Sequence, residues 1–277
     1  MELTYREAAA RIEKNCGTNG KIEATLLFEK ILGLDAASLM TRRDEDFDSP
    51  QLSAAIEKRE SGYPLQYILG EWEFFGLTFE VNESCLCPRP DTETLVETAI
   101  ELLPKKGRFL ELCTGSGCIP VSICKYRPDV SGVATDLFEA TLATAKRNAE
   151  KNGVADRIDF LLADLFDIES FENECKGNFD AIISNPPYIP KRDIEDLSVE
   201  VKHEPIAALD GGEDGLDFYR FIVGEYKRFL SENGCILLEI GYDQGKALCE
   251  IAEKNGFACE IKKDLGGNDR VALLKRK

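Results

Sequence analysis

Asn185, Pro186, Pro187 and Tyr188 follow the apolar run Ala181-Ile182-Ile183 and Ser184. A strand ending this way presents a carboxamide, a stiff turn and an aromatic ring at one point. The prolines fix φ, and Pro187 drives Pro186 out of the α region, so the backbone carbonyls sit in an extended turn with no proline N–H to occupy them. A side-chain amide oxygen and a fixed main-chain carbonyl can accept both N–H bonds of a planar –NH2 group. Such a nitrogen is a weak nucleophile because its lone pair is delocalised. Acceptors aimed at it stabilise the charge that develops as it reacts, and holding it in place converts an encounter into an oriented attack. An aromatic face alongside suits a sulfonium or a planar substrate. Taken alone, the same four residues also read as a strand terminator followed by a surface tyrosine.

A second group lies upstream. The strand "RFLEL" runs into Cys113-Thr114-Gly115-Ser116-Gly117. Glycines there let the backbone pass close to a ligand and take positive φ. A dinucleotide fingerprint would need glycine at Pro120, and no Lys-Ser/Thr pair of a phosphate-binding loop follows. A pyrophosphate ligand is therefore disfavoured. Asp136 comes about 20 residues on, at the end of the next strand, where an acidic side chain can bind ribose hydroxyls; it also reads as a helix cap. Asp164 ends the third strand with the same ambiguity. Polar groups at successive strand ends favour a ribonucleoside ligand without phosphate, such as S-adenosylmethionine.

The elements that must position these groups alternate. From Asp91 onward, helix and strand patterns succeed one another, which predicts a mostly parallel sheet with helices on both faces. Ligands of such sheets bind beyond the carboxyl ends of the strands. The last two strands, "FACEIKK" and "RVALLKR", are joined by only "DLGGND" and are expected to pair antiparallel. "LDFYRFIVGEYKRFL" reads as one long helix and "GCILLEIG" as the strand after it. Ahead of this lies a helical segment. Thr4 and Glu7 form a capping box, Gly33 ends a second helix running roughly over residues 21–32, Asp35 caps a third, and Ser49-Pro50 opens a fourth. Phe74, Phe75, Leu77, Phe79 and Val81 around Gly76 read as a β-hairpin. The expected organisation is a helical domain over residues 1–72, a hairpin linker over 73–90 and an α/β domain over 91–277.

Composition narrows the function. The chain has 277 residues, 43% of them hydrophobic, and a formal net charge of −17. That charge argues against binding nucleic acid by phosphate neutralisation. Ten cysteines and one histidine, His203, include no Cys-x-x-Cys pair, so no metal site is expected and the cysteines read as reduced, buried small hydrophobes. The N-terminus has no apolar signal core and no run is long enough to span a membrane, which together predict a cytoplasmic protein.

Nearly all of the chain, the helical N-terminal part included, resembles the HemK/PrmC-like release factor glutamine methyltransferases. The matching pieces are "PLQYILG" (64–70), "PRPDTETLVE" (88–97), "TGSG" (114–117), "NAEKNG" (148–153), "FDAIISNPPYI" (179–189), "EPIAALDGGEDGLDFYR" (204–220) and "LLEIGYDQG" (237–245). Glu111 stands where that family usually has Asp, and Cys113 where it frequently has Gly. The resemblance implies a class I, Rossmann-like methyltransferase sheet with an antiparallel last strand, preceded by a helical domain that docks peptide chain release factors. It implies methyl transfer from S-adenosylmethionine, without a metal, to the amide nitrogen of the glutamine in their Gly-Gly-Gln loop. By match, Glu111, Cys113, Thr114, Gly115, Ser116, Gly117, Asp136, Asp164, Leu165 and Asn185 form the cofactor site. Asn185, Pro186, Pro187 and Tyr188 hold the substrate glutamine, with Asn185, Pro186 and Tyr188 at the chemistry. His203 is expected to be structural or at the rim, and Glu204-Pro205 with the "DGGEDG" stretch to form either a pocket wall or a capped loop. A ribosomal-protein glutamine or an adenine amino group would use the same chemistry, and a non-catalytic nucleoside-binding regulator is the alternative of another class.

Overall fold

The computed structural model describes residues 2–277. The chain forms two compact units, one taking in the chain up to Glu71 together with Ser198–His203, the other Trp72–Leu197 and Glu204–Lys277.

The first unit is helical. β1 (Glu2–Thr4) leads into α1 (Tyr5–Cys16), followed by α2 (Gly20–Leu32), α3 (Ala36–Thr41), β2 (Asp46–Asp48), α4 (Pro50–Glu60) and α5 (Leu65–Leu69). The capping box at Thr4 and Glu7 is present, Asn19, Asp35 and Ser49 each accept a first-turn N–H, and Gly17 and Gly33 close α1 and α2 in the left-handed conformation. β1 and β2 pair antiparallel, a two-strand contact too short for a periodicity to reveal. Buried Arg59 donates to both carboxylate oxygens of Glu23, at 2.7 and 3.2 Å, and to Glu200 at 3.1 Å. This is how Ser198–His203 comes to belong to the helical unit, although those residues lie far along the chain.

β3 (Glu71–Phe74) and β4 (Leu77–Glu80) form the expected hairpin. Its two-residue turn has both Phe75 and Gly76 at positive φ, the twist that suits a tight hairpin. The paired strands stop at Glu80, so the linker is shorter as a hairpin than residues 73–90. Asn82 takes the Ser84 N–H at 2.9 Å in a local turn, and Pro88 and Pro90 cannot donate to a ladder.

The second unit continues with α6 (Glu93–Leu102), β5 (Arg108–Leu112), α7 (Cys118–Tyr126), β6 (Ser131–Asp136), α8 (Glu139–Asn152), β7 (Ile158–Leu162), α9 (Ile168–Glu174), β8 (Phe179–Ser184), α10 (Asp217–Glu225), β9 (Leu230–Glu239), α11 (Gly245–Lys254), β10 (Phe257–Lys263) and β11 (Asp269–Arg276). The seven-stranded sheet has the order β10-β11-β9-β8-β5-β6-β7. Strands β5 to β9 run parallel, and β11 is antiparallel to both neighbours, as the short final connection requires. One apolar cluster packs α6 and α7 on one face of this sheet, and a second packs α10 and α11 on the other. Four features differ from the sequence reading. The long helix ends at Glu225 and tightens into a 3-10 turn, Tyr226–Phe229, which buries both aromatic rings. β9 starts at Leu230, earlier than Gly234, and short α9, capped by Asp167, separates β7 from β8. Finally, Cys249 and Cys259 are joined in a disulfide rather than reduced, because α11 and β10 bring their Cα atoms to 5.3 Å, within bonding range. Cys85, Cys87, Cys118, Cys124, Cys175 and Cys235 are buried thiols, as expected.

Candidate cofactor and substrate site

β6 and β8 flank β5 on opposite sides, so the chain order reverses at β5. The carboxyl ends of adjacent strands diverge there and leave a crevice. Leu112 and Ser184 end β5 and β8 opposite each other, and Thr135, one residue before the end of β6, lies opposite Leu112 on its other side. The Ser184 hydroxyl donates to the Leu112 carbonyl at 2.7 Å and ties the two turns together.

The turn after β5 carries its strain openly. Cys113 is at φ 60°, a left-handed conformation at a residue that is not glycine, followed by Gly115 and Gly117 at φ 56° and 78°. At Gly117 a Cβ would lie 3.0 Å from the Ala145 Cβ of α8, so close helix packing also calls for glycine. Asp136 at the end of β6 braces the turn. One carboxylate oxygen accepts from Gly115 N at 3.0 Å and the other from Phe138 N at 3.2 Å. Asp136 is not the cap of α8, whose N-cap is Phe138 with no side-chain cap bond; it braces the turn ahead of that helix instead. Burial raises its pKa, opposed by the backbone N–H groups of Gly115, Phe138 and Leu137. Asp164, after β7, fixes its own turn by accepting from Phe166 N at 2.9 Å.

Cys113, Thr114, Gly115, Ser116, Asp136, Asp164, Leu165 and Asn185 line a single cavity in this unit. Glu111 and Gly117 do not. Glu111 is fully buried beneath the turn, where burial pushes its carboxyl well above the ordinary range, the Thr114 hydroxyl opposing and the Asp136 charge adding to the shift. Gly117 serves as the N-terminal cap of α7. Of the strand-end four, Asn185 and Pro187 line the cavity; Pro186 and Tyr188 do not. Tyr188 packs on the core cluster under α10 and α11, and burial pushes its hydroxyl up to about 12. His203 belongs to the helical unit, its ring 5.3 Å from that of Tyr63.

Several lining residues carried no sequence signal of their own. Residues 84–89 form one wall, and Phe138, Phe166 and Phe218 supply aromatic surface, with the Phe166 and Phe218 rings 5.0 Å apart. Pro205, Ala207 and Ala208 close another side, so the Glu204-Pro205 segment is a pocket wall. Buried Glu204 receives Arg89 through bonds of 2.8 and 2.7 Å, which pins this wall to the first; burial raises its pKa and Arg89 opposes the shift.

The cavity fits a nucleoside bearing a charged, phosphate-free tail. The Thr114 hydroxyl, beside the Glu111 carboxyl, and the Ser116 hydroxyl, beside the Cys118 thiol, belong to residues that line the cavity, so either hydroxyl can turn to a polar ligand. Asp136 and Asp164 bring carboxyl groups to the cavity, with Arg89 the basic residue of its lining. Among the described residues no group of His, Cys, Asp and Glu could hold a metal ion.

Comparison with known proteins agrees with this geometry. Residues 4–70 match the PrmC N-terminal domain, and residues 90–208 the methyltransferase small domain. The release factor glutamine methyltransferase of Geobacter sulfurreducens is 40% identical over 258 residues, covering 91% of this chain and 88% of that protein. That of Moorella thermoacetica is 36% identical over 288 residues, covering 99% of each. Among solved structures, a methyltransferase from Pyrococcus furiosus superposes with a TM-score of 0.54 at 22% identity, covering 73% of this chain and 89% of that one. The catalytic domain of hMettl16 does so with a TM-score of 0.58 at 18% identity, covering 82% of each. These two share the class I methyltransferase sheet.

Proposed function

Since this chain belongs to the release factor glutamine methyltransferase family, we propose that it methylates the side-chain amide nitrogen of the glutamine in the Gly-Gly-Gln motif of peptide chain release factors. When bound, S-adenosylmethionine supplies an electrophilic methyl group on a sulfonium. Asp136 would hold its ribose hydroxyls, the Thr114 to Ser116 turn and Asp164 its polar atoms, and Phe138 and Phe166 offer faces for its base. The observation that carries the reading is that Asn185 and Pro187 share one cavity with Thr114, Asp136 and Asp164.

The residues of the chain act on the glutamine by placement. The Asn185 side-chain oxygen and the main-chain carbonyl at Pro186 accept the two N–H bonds of the substrate amide. That would polarise the nitrogen and hold it in one orientation for methylation. Pro186 and Pro187 keep these acceptors from relaxing. Tyr188, packed against the core, anchors the turn from behind. The helical unit, set apart as a compact body, is assigned the docking of the release factor, a cytoplasmic substrate.

Incubation of the protein with S-adenosylmethionine and a release factor, followed by mass spectrometry of the tryptic peptides, tests the reading. One added methyl group on the Gly-Gly-Gln glutamine is expected. Asn185→Ala should lower kcat about 10²–10³-fold, the cost of removing a preorganised polar group. An unmodified glutamine, or a normal rate in Asn185→Ala, would refute it.

A further inference from the structure

Two buried polar side chains, Thr92 and Glu239, neighbour Asn185, and Thr92 also lines the cavity. β8 and β9 run parallel with Ser184 opposite Leu238, so Asn185 and Glu239 leave the sheet as neighbours. Thr92, in the 3-10 turn Pro90–Thr92 before α6, bridges them. Asn185 Nδ2 donates to Thr92 Oγ1 at 3.4 Å, and Thr92 lies beside the Glu239 carboxylate, whose pKa it lowers. Both Thr92 and Glu239 are almost fully buried, at 2% and 1% exposure, and Glu239 Oε2 has no hydrogen-bond partner among the described residues.

The number of protons dictates the direction of this chain of bonds. A threonine hydroxyl has one proton, and an ionised carboxylate can only accept. With its proton on Glu239, Thr92 can only accept from Asn185. It must therefore face the –NH2 corner of the carboxamide and not the oxygen. The two corners of an asparagine are nearly isosteric, and only such a partner decides between them. We propose that Glu239 and Thr92 are positioning residues that turn the Asn185 carboxamide so that its oxygen is left for the substrate amide. The proposal rests on the substrate being a primary amide.

The groups facing Glu239 bear on its charge. They are Arg270 from β11, Arg89 and Asp91 ahead of α6, Tyr219 from α10, Tyr188, and Cys118 from α7. Burial raises the Glu239 pKa to about 7, with Thr92, Arg270 and Arg89 opposing and Asp91 adding to the shift. A protonated Glu239 can donate to Thr92 Oγ1, which frees the threonine proton for Asn185 and removes the preference for its –NH2 corner. The productive orientation is then populated as pH rises through about 7 and lost below it.

The test follows Asn185 directly. In ¹⁵N-labelled protein without substrate, the Asn185 carboxamide protons should shift with pH through the Glu239 titration. That shift should vanish in Glu239→Gln and Thr92→Val and persist in Thr92→Ser. In single-turnover methylation of release factor at saturating S-adenosylmethionine, Thr92→Val and Glu239→Gln should lose about 10²-fold in rate, as misplaced reacting groups do. Thr92→Ser should recover most of it, and in Glu239→Gln cofactor affinity should change little while the acid limb of the rate profile disappears. Asn185 signals indifferent to Thr92→Val, or a wild-type rate in that variant, would overturn the proposal. Absence of methyl transfer by the wild-type protein would refute the substrate assignment instead, and the spectroscopic arm then decides the relay alone.

Discussion

Gln244 donates from Nε2 to the Tyr188 carbonyl at 2.9 Å and to the Gly215 carbonyl at 3.2 Å, while its Oε1 accepts from Gly241 N at 2.9 Å and Tyr219 Oη at 3.1 Å. One buried amide thus ties the residue after Pro187 to the wall that follows it. Gln244→Leu keeps the volume but strands two carbonyls and one N–H, while the Tyr219 hydroxyl keeps its bond to the Glu239 carbonyl. Each stranded buried group costs about 1–3 kcal/mol, so urea unfolding should show a loss of at least about 2 kcal/mol. The methylation rate should fall further than the folded fraction, because the turn bearing Asn185 loses its anchor. An unchanged unfolding midpoint would show that water replaces the glutamine.

What the sequence made legible follows from how local each feature is. Asn185 to Tyr188 stood out because the prolines act on their own neighbours, and the glycine turn because positive φ is a property of single residues. The sheet followed from period and turn length. Thr92, Glu239 and Gln244 fall within matching pieces, but no role can be read for them: each contacts a partner distant in sequence, 93 residues in the case of Thr92 and Asn185. Glu204 was visible only as a wall, since its pairing with Arg89 spans 115 residues. Cys249 and Cys259 show no motif spacing, and only the packing of α11 on β10 brings them together.

Gly215 is at φ 76°, and a Cβ there would lie 2.4 Å from the Tyr188 carbonyl oxygen and 2.9 Å from Gln244 Nε2. Gly215→Ala combines left-handed strain of about 1–2 kcal/mol with displacement of the same carbonyl that Gln244 holds. Stability should drop by more than the strain alone, and kcat with it. Gly224 in α10 has nothing within 4 Å of its Cβ position. Gly224→Ala should instead stabilise by roughly 0.5–1 kcal/mol. Equal melting temperatures for the two variants would contradict this packing.

Arg59 is 1% exposed and carries the ion pairs with Glu23 and Glu200. Arg59→Ala leaves Glu23 in a largely buried place without its counterion, and breaking such a pair costs about 3–5 kcal/mol. The loss should be concentrated in the helical unit. Hydrogen exchange should therefore accelerate in α2, α4 and Ser198–His203 while the central strands β5 and β8 keep their protection. Uniform acceleration across all strands would mean that Arg59 supports the whole chain rather than one unit.

Cys113 is a non-glycine residue at φ 60° whose side chain lines the cavity. An L residue pays about 1–2 kcal/mol in the left-handed region, whereas glycine gives up about 0.5–1 kcal/mol relative to alanine in ordinary positions through the freedom of the unfolded chain. At this position the first term is larger. Cys113→Gly should therefore be more stable than Cys113→Ala, the reverse of the usual order, and the difference should appear in urea midpoints at constant slope. Burial beside the Asp136 and Glu111 carboxylates also pushes the Cys113 thiol well above its ordinary pKa, so little thiolate is present near pH 8 and alkylation by iodoacetamide should be slow despite its place in the cavity. If Cys113→Ala proves the more stable variant, the turn relaxes out of the left-handed conformation when the side chain shrinks, and the cysteine is tolerated without strain.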